Sequence, residues 1–309
     1  MYLVRLFPVS SIYYFADTKR IRGKHMIHVF VYGTLMQGER NHHLLKSATC
    51  VYREAYVFGK LLDTGFGYPA WVYDKDTFTY GEVYEVDSSI LKELDQLEDY
   101  REGRDHNLFE RIKITAYNDR DDHIDCYIYA AGERLMNSTI EIPHGNWSVY
   151  KYLQKSTYYY FAYGSCMDHE RFKEHGVDAY FQSIIGKGIL RDYGFRFSRE
   201  SLDGGKADII SSPKEIVEGV IYNVPKEALD YLYKREGVFF QSYRPIVVEV
   251  TLKDEKRLRV ITFTGVEKSQ ETPPTKHYAE EIFRGASNIL SDTYRQKLQE
   301  RIDRLGTSN

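Results

Sequence analysis

Cysteine is scarce in this chain. Cys50, Cys126 and Cys166 are the three present among 309 residues. An odd count with irregular spacing supplies neither a disulfide framework nor a zinc-ligand pattern, and it fits a reducing compartment, so a cytoplasmic location is expected. There is also no apolar run of the ~18–20 residues that a transmembrane helix requires, so no membrane partner is expected. Neither sign of charge dominates: 42 Lys and Arg stand against 45 Asp and Glu, for a net charge of −3. That balance lacks the basic footprint of a nucleic-acid binder. The ten histidines are scattered, and the adjacent His42-His43 does not converge as an i, i+4 helical pair would. No metal is expected. Neither GxGxxG nor GxxxxGK[ST] occurs, which removes the dinucleotide and P-loop signatures, and no organic cofactor is expected.

What the chain does contain is a repeat. Residues 28–36 read HVFVYGTLM and residues 159–167 read YYFAYGSCM. Each is an apolar, β-branched and aromatic run that ends in Tyr-Gly, a hydroxyl residue and, two positions on, Met. The segment 81–86, GEVYEV, is echoed by 219–224, GVIYNV, and a short helical pattern follows each and stops at an acid, Glu98 or Glu236. The acid lies 17 residues after the strand glycine in both copies, and the two Tyr-Gly loops are 131 residues apart. A unit of that length can bury its own core, so the repeat implies two domains and no small solenoid. The 28 tyrosines suit aromatic-rich strands.

Residues 1–26 read as a peripheral extension. Their charge follows the apolar stretch, the reverse of a secretory signal, and Met26 stands directly before the first good strand, as an internal start would. Residues 27–153 form the expected first domain and 154–309 the second. In the first, strands are expected at 27–32, 56–62, 70–73, 79–86, 109–117 and 124–130, with a short helix within 38–47. Ile90, Leu91, Leu94 and Leu97 share one face, which predicts a helix over 88–97 with Asp87 or Ser88 as its N-cap. Residues 131–156 read as the inter-domain region. The second domain repeats the order, with strands at 158–163, 195–197, 219–224, 246–253 and 259–263, helices at 168–175 and 226–235, and a long helical stretch over 278–305 broken near 285–291. Many strands with few helices predict an α+β fold with a curled or barrel-like sheet in each domain.

The chemistry lies in the loop and the acid. A strand that ends in glycine and a hydroxyl residue exposes several backbone N–H groups, a geometry that cradles an anion such as a carboxylate. Gly33 and Gly164 let the backbone approach a ligand, and Thr34 and Ser165 are placed to cap the helix that follows. Taken alone, the same turn also describes an ordinary helix cap. Glu98 and Glu236 each sit at the C-terminal end of a helix, where the macrodipole disfavours a carboxylate by a few tenths to about 1 kcal/mol. A pKa raised in this way suits a general base near neutral pH.

Together these segments resemble the γ-glutamylcyclotransferase family. The second unit is similar to γ-glutamylcyclotransferase proper through Phe161-Ala-Tyr-Gly-Ser165, Gly204-Gly205-Lys-Ala207-Asp-Ile209, Arg235-Glu236-Gly237-Val238 and Tyr243-Arg-Pro245, and through a closing segment from Tyr278 through Gly285-Ala286 to Tyr294. The first resembles the γ-glutamylamine cyclotransferase branch, which includes avirulence-induced plant proteins, through Val31-Tyr-Gly-Thr-Leu-Met36, Gly67-Tyr-Pro-Ala70, Phe109-Glu-Arg111 and Gly145-Asn-Trp147. The resemblance covers residues 27–309. It implies two tandem domains, each a small mixed β-barrel with flanking helices, and release of 5-oxoproline from a small-molecule γ-glutamyl compound. It assigns the base to Glu98 and Glu236. It places substrate on Tyr32, Gly33, Thr34 and Leu35 in one domain and on Tyr163, Gly164, Ser165, Cys166 and Tyr243 in the other.

The copies also depart from the pattern. Cys166 stands where the closest branch usually has Asn, which raises Cys166 or Ser165 as an alternative nucleophile. Tyr233 stands where Asp often precedes the acid by three, whereas the first unit keeps Asp95. Phe109 stands where the second unit has Tyr243. Two readings follow: a tandem cyclotransferase with one or two working sites, or a binding protein that holds a γ-glutamyl-like or dicarboxylate ligand without turnover.

Overall fold

The computed structural model describes residues 26–120, 122–136 and 140–307. The expected extension up to residue 25 lies outside the described residues. The first half contains β1 (Ile27–Val31), β2 (Thr49–Phe58), β3 (Lys60–Asp63), β4 (Pro69–Val72), β5 (Phe78–Val86), α1 (Ser88–Leu97), β6 (Phe109–Asn118), β7 (His123–Ala131), β8 (Ile140–Glu141) and α2 (Trp147–Leu153). The second half contains β9 (Tyr158–Ala162), α3 (His169–Glu174), β10 (Ile184–Arg199), β11 (Lys206–Val224), α4 (Lys226–Arg235), β12 (Tyr243–Thr251), β13 (Arg257–Gly265), α5 (Lys276–Ala286) and α6 (Asp292–Leu305).

Both halves are five-stranded barrels with flanking helices, and their strand orders correspond. The first runs β1-β5-β2-β6-β7 and closes through a parallel β1–β7 pairing at Val29 and Tyr127, with β4, β3 and β8 continuing the sheet from β7. The second runs β9-β11-β10-β12-β13 and closes through a parallel β13–β9 pairing at Ile261 and Tyr160. The loop-bearing strand, β1 or β9, therefore sits between the strand that carries the repeated glycine and the last strand of the barrel.

That glycine has a steric cause. A Cβ on Gly81 would lie 2.2 Å from the Val31 carbonyl oxygen, and one on Gly219 would lie 2.3 Å from that of Ala162. The ring of Phe30 or Phe161 crosses the same spot. Helix α1 begins where Asp87 accepts the N–H groups of Ser89 and Ile90, and it buries Leu91 and Leu94 in the first core. Helix α4 buries Ala228, Leu229 and Leu232 in the second.

Two expectations need correction. Residues 131–156 are more than a connection: Asn146 caps α2, whose Trp147 enters the first domain's core while its Tyr152 enters the second's. Pro143 and Gly145 conceal this helix because they read as loop residues. The strand expected at 195–197 is part of a 16-residue β10 that pairs with a 19-residue β11. The interruption at Ser211–Lys214 is a bulge, with a register shift between Arg191 and Tyr193 and with Asp192 and Lys214 at positive φ. A bulge accommodates Pro213 inside a long ladder, whereas a regular strand interior would not.

The barrels meet through polar groups. Glu54 accepts hydrogen bonds from the hydroxyl of Tyr193 and, at 2.7 Å, from Nη2 of Arg244, whose guanidinium lies 4.1 Å from the Tyr80 ring centroid. The strand glycines yield a direct test. Gly81→Ala and Gly219→Ala each force a methyl into a neighbouring backbone, and each is expected to lower stability by about 1–3 kcal/mol in urea denaturation. Unchanged midpoints would remove the close approach as their cause.

Candidate active sites

In the first barrel the chain leaves β1 at Tyr32. The Tyr32 hydroxyl donates to the Tyr129 carbonyl on β7 and accepts the Trp71 N–H at 3.3 Å. The residue is buried, so its phenol anchors the loop instead of reaching into solvent. The turn closes through the Met36 N–H to the Gly33 carbonyl at 3.1 Å. Among the described residues the N–H groups of Thr34 and Leu35 have no protein acceptor, and they line a cavity of about 170 Å³. A Cβ on Gly33 would lie 2.9 Å from the Pro69 ring, which walls the same cavity.

Glu98 enters this cavity from the end of α1. Its own N–H completes the helix at the Leu94 carbonyl, and Asp99 then takes a positive φ of 50°. The left-handed residue turns the chain away and leaves the acid at the last helical position. Burial pushes the Glu98 carboxyl up to about 7. Behind the site, Asp95 accepts from Arg111 Nη1 at 2.6 Å and from the Tyr129 hydroxyl at 2.8 Å, and so holds the residue whose carbonyl anchors Tyr32.

The second barrel rebuilds the arrangement. The Tyr163 hydroxyl donates to the Phe263 carbonyl on β13 at 2.7 Å, and the Met167 N–H closes the turn on the Gly164 carbonyl at 3.0 Å. The N–H groups of Ser165 and Cys166 have no protein acceptor among the described residues. Glu236 ends α4 with its N–H on the Leu232 carbonyl at 2.8 Å, and Gly237 supplies the left-handed turn at φ 62°. Tyr163, Gly164, Ser165, Cys166, Glu236 and Tyr243 line one cavity of about 490 Å³. The Tyr243 hydroxyl donates to the Ala207 carbonyl at 2.8 Å, and the Ala207 N–H donates to the Tyr278 hydroxyl at 3.2 Å. Each expected site residue therefore lines the cavity of its own domain.

The surroundings of the two acids differ. Arg235 precedes Glu236, with Nε 3.9 Å from the Glu236 Oε1, whereas Leu97 precedes Glu98. Arg235 also donates to Cys166 Sγ at 3.2 Å and to Ser165 Oγ at 3.4 Å, tying the glycine loop to the end of α4. Burial raises the Glu236 pKa and Arg235 opposes that rise. The Cys166 thiol, 3.5 Å from the Glu236 Oε1, is pushed up by burial, which does not suit a thiolate nucleophile. His175 and His277 line the cavity but bond to the Arg171 carbonyl and to Glu281, away from Cys166 and Ser165. Tyr233 replaces the Asp95 cluster with an edge-on contact to the Phe263 ring at 5.6 Å.

The helix-capping roles expected for Thr34 and Ser165 are corrected. Thr34 Oγ1 accepts from Asn41 Nδ2 at 3.0 Å, and Ser165 accepts from Arg235. Asp168 caps α3 through the Glu170 N–H, because Ser165–Met167 form a separate short turn before that helix begins. Desolvation is the leading cause of the raised pKa at both acids, which also stand at the helix ends. Sequence reasoning gave no role to Arg235, Arg171, Lys206 or Tyr278 in the second cavity, or to Arg40, Tyr68 and Tyr129 in the first. They come from separate elements, and no local spacing joins them.

Comparison with known proteins agrees with the tandem fold. The family model described as γ-glutamyl cyclotransferase, AIG2-like, matches residues 29–149, and that of the AIG2-like family matches 216–298. Over 281 residues the chain is 37% identical to YkqA of Bacillus subtilis (strain 168), named as a candidate γ-glutamylcyclotransferase, with 90% of this chain and 98% of that one covered. The crystal structure of YkqA aligns with a TM-score of 0.80 at 36% identity, covering 92% of this chain and all of that one. The γ-L-glutamyl-butirosin B γ-glutamyl cyclotransferase of Niallia circulans is 37% identical over 139 residues, which is 44% of this chain and 85% of its own. The γ-glutamylcyclotransferase of Bos taurus is 32% identical over 149 residues, 46% of this chain and 77% of its own. The chain belongs to the γ-glutamylcyclotransferase family, as a tandem of two such domains, and is an enzyme of that kind.

The buried acid has a consequence for stability. A carboxyl whose folded pKa lies above its ordinary 4.5 binds protons more tightly in the folded state. Stability therefore falls as pH rises from about 4.5 through 7. Glu98→Gln removes the buried charge and is expected to be more stable than wild type at pH 8 by about 1–2 kcal/mol, with the difference shrinking at pH 5. Thermal unfolding at the two pH values checks it, and a less stable variant at pH 8 would contradict the burial argument.

Proposed function

We propose that each domain, 27–153 and 154–309, carries a site that releases 5-oxoproline from a γ-glutamyl amino acid or γ-glutamylamine. The observation that carries this reading is the pairing, made twice, of unengaged loop N–H groups with a half-buried carboxyl in the same cavity. The loop amides of Gly33–Leu35 or Gly164–Cys166 hold the substrate's α-carboxylate. Glu98 or Glu236 takes a proton from the α-ammonium. The freed amine nitrogen forms a bond to the γ-carbonyl carbon, and the five-membered ring closes on a tetrahedral intermediate. The bond to the leaving nitrogen then breaks as the same acid returns its proton, so 5-oxoproline and a free amine leave without water being consumed. Because the attack is intramolecular, holding the substrate folded over supplies much of the rate. A raised acid pKa brings the base closer to the proton it must remove. Neither step calls for a metal or a cofactor.

The leaving group separates the sites. Around the first acid stand Leu97, Leu108, Phe109 and Tyr68, with Arg40 and Asn41 also on the wall, a more apolar lining that suits an amine. Around the second, in a larger cavity, stand Arg171, Lys206 and Arg235 together with Glu174, Asp203 and Glu281, with Arg171 paired to Glu281 and Lys206 to Asp203. A charged lining of both signs suits a leaving group that is itself charged, such as an amino acid or peptide. The Niallia relative, named for γ-L-glutamyl-butirosin B, supports a γ-glutamyl amide as the substrate class. A reducing cytoplasm suits Cys166, whose free thiol lies beside the base.

The assay is 5-oxoproline release from γ-glutamyl amino acids, γ-glutamylamines and glutathione. Glu98→Gln and Glu236→Gln are each expected to remove one portion of the activity, and the double variant to lose about 10²–10⁴-fold. No release by wild type from any of the three classes would sink the enzymatic reading, and full activity in the double variant would exclude the two acids as bases. In the Glu236→Gln background, where the first site acts alone, kcat/KM is expected to fall as pH drops below about 7, because Glu98 becomes protonated there. A flat profile between pH 5.5 and 8 would count against that base.

A further inference from the structure

The two glycine loops are braced from different places. In the second domain the loop runs on to Asp168, which accepts from Arg284 Nε at 3.0 Å. Arg284 belongs to α5, and this helix crosses the loop so closely that a Cβ on Gly285 would lie 2.5 Å from the Met167 carbonyl carbon. The brace is an Arg–carboxylate contact on the residue that follows the loop, supplied by the same domain. The corresponding stretch of the first domain is Gln37–Glu39.

That stretch is held from both domains. From its own side, the Gln37 N–H donates to Glu82 Oε2 at 2.9 Å and Ser148 donates to Glu39 Oε1 at 3.3 Å. From the other side comes Arg259, on β13 of the second barrel. Its Nη1 donates to the Gly38 carbonyl at 3.1 Å and its Nη2 to Glu39 Oε1 at 2.9 Å. Gly38 adopts φ +78°, and the guanidinium lies against it, 3.5 Å from where a Cβ would stand. The Glu39 side chain keeps 9% of its exposure, so this carboxylate is largely enclosed between the domains. A forked guanidinium that engages a carbonyl and a carboxylate at once fixes direction as well as distance.

We propose that Arg259 is a positioning residue for the first site, so that the second barrel supplies the brace that α5 supplies to its own loop. The proposal rests on the reading of the first cavity as a working site. Arg259 touches no atom of that cavity's lining acid. It acts through Gly38 and Glu39 on the turn whose N–H groups face the substrate, and it keeps those groups convergent. Its loss weakens ground-state and transition-state binding of the α-carboxylate alike, which raises KM more than it lowers kcat.

The test uses the full chain. In the Glu236→Gln background, Arg259→Ala is expected to raise the first site's KM for a γ-glutamyl substrate about five- to tenfold with kcat changed less than twofold. Arg259→Lys is expected to recover part of that loss, since it keeps the charge without the fork. In the Glu98→Gln background, where the second site acts alone, Arg259→Ala is expected to leave KM unchanged and Arg284→Ala to raise it. Amide exchange on the substrate-free protein gives a readout independent of turnover. Peptides spanning 33–41 are expected to exchange at least about fivefold faster in Arg259→Ala while peptides spanning 164–168 hold, with the reverse in Arg284→Ala. If the Glu236→Gln protein shows no turnover, the reading of the first site fails and exchange alone decides the brace. Exchange that is unchanged at 33–41, or that rises equally at both loops, would overturn the proposal. If Arg259→Ala does not fold, Glu39→Ala removes the carboxylate that Arg259 Nη2 holds, leaving the Gly38 carbonyl contact, and is read by the same two measurements.

Discussion

Everything at the two sites depends on how closely two strand backbones can approach. Gly81 and Gly219 present no side chain where the carbonyls of Val31 and Ala162 pass at contact distance. That approach lets β1 and β9 lie deep between their neighbours and ends each strand at the mouth of its barrel. The buried tyrosine that follows then fastens the turn to the neighbouring last strand of the barrel through a carbonyl of β7 or β13. Two residues with unengaged amides are left lining a cavity in each domain. The glycine repeated in the sequence is thus a condition for the loop, and the loop is a condition for the site.

The acid is held by a similar economy of parts. A left-handed residue, Asp99 or Gly237, ends the helix immediately after the carboxylate and prevents the chain from covering it. The carboxylate is enclosed by barrel and loop, and this enclosure raises its proton affinity. The first site leaves that effect unopposed, while the second moderates it with Arg235. The same arginine ties Ser165 and Cys166 to the acid's helix, so electrostatic tuning and loop geometry are linked in the second domain and separate in the first.

Much of this was legible before the structure. The helices at 88–97 and 226–235 lie where the periodicity places them, because a strong apolar face and a clear stop signal agree there. The tandem barrels were legible from the order of the repeated segments. The matched offset from strand glycine to acid marked both candidate acids, which line corresponding cavities, since each element between glycine and acid is short and regular. Helix α2 was hidden by Pro143 and Gly145, and the long β10–β11 hairpin by a bulge that sequence pattern reads as a break. Arg171 was silent for another reason, and Lys206 and Tyr278 stood out only as parts of family-like segments without a role: all three converge only through tertiary packing.

Helix α2 bears on how such a protein could have arisen and how freely it can still be divided. Its two ends serve different cores, Trp147 in the first and Tyr152 in the second, over a span of six residues. The Tyr152 hydroxyl also takes the Tyr159 N–H at 2.7 Å, where the second barrel begins. No cut near this point returns two intact halves: a break before the helix uncovers one core, and a break after it leaves a hole in the other. The joint has become shared property of both copies. Once a duplicated gene has spliced its products in this way, a simple truncation no longer recovers a free-standing ancestor, and the halves drift in sequence while remaining bound to a common fate.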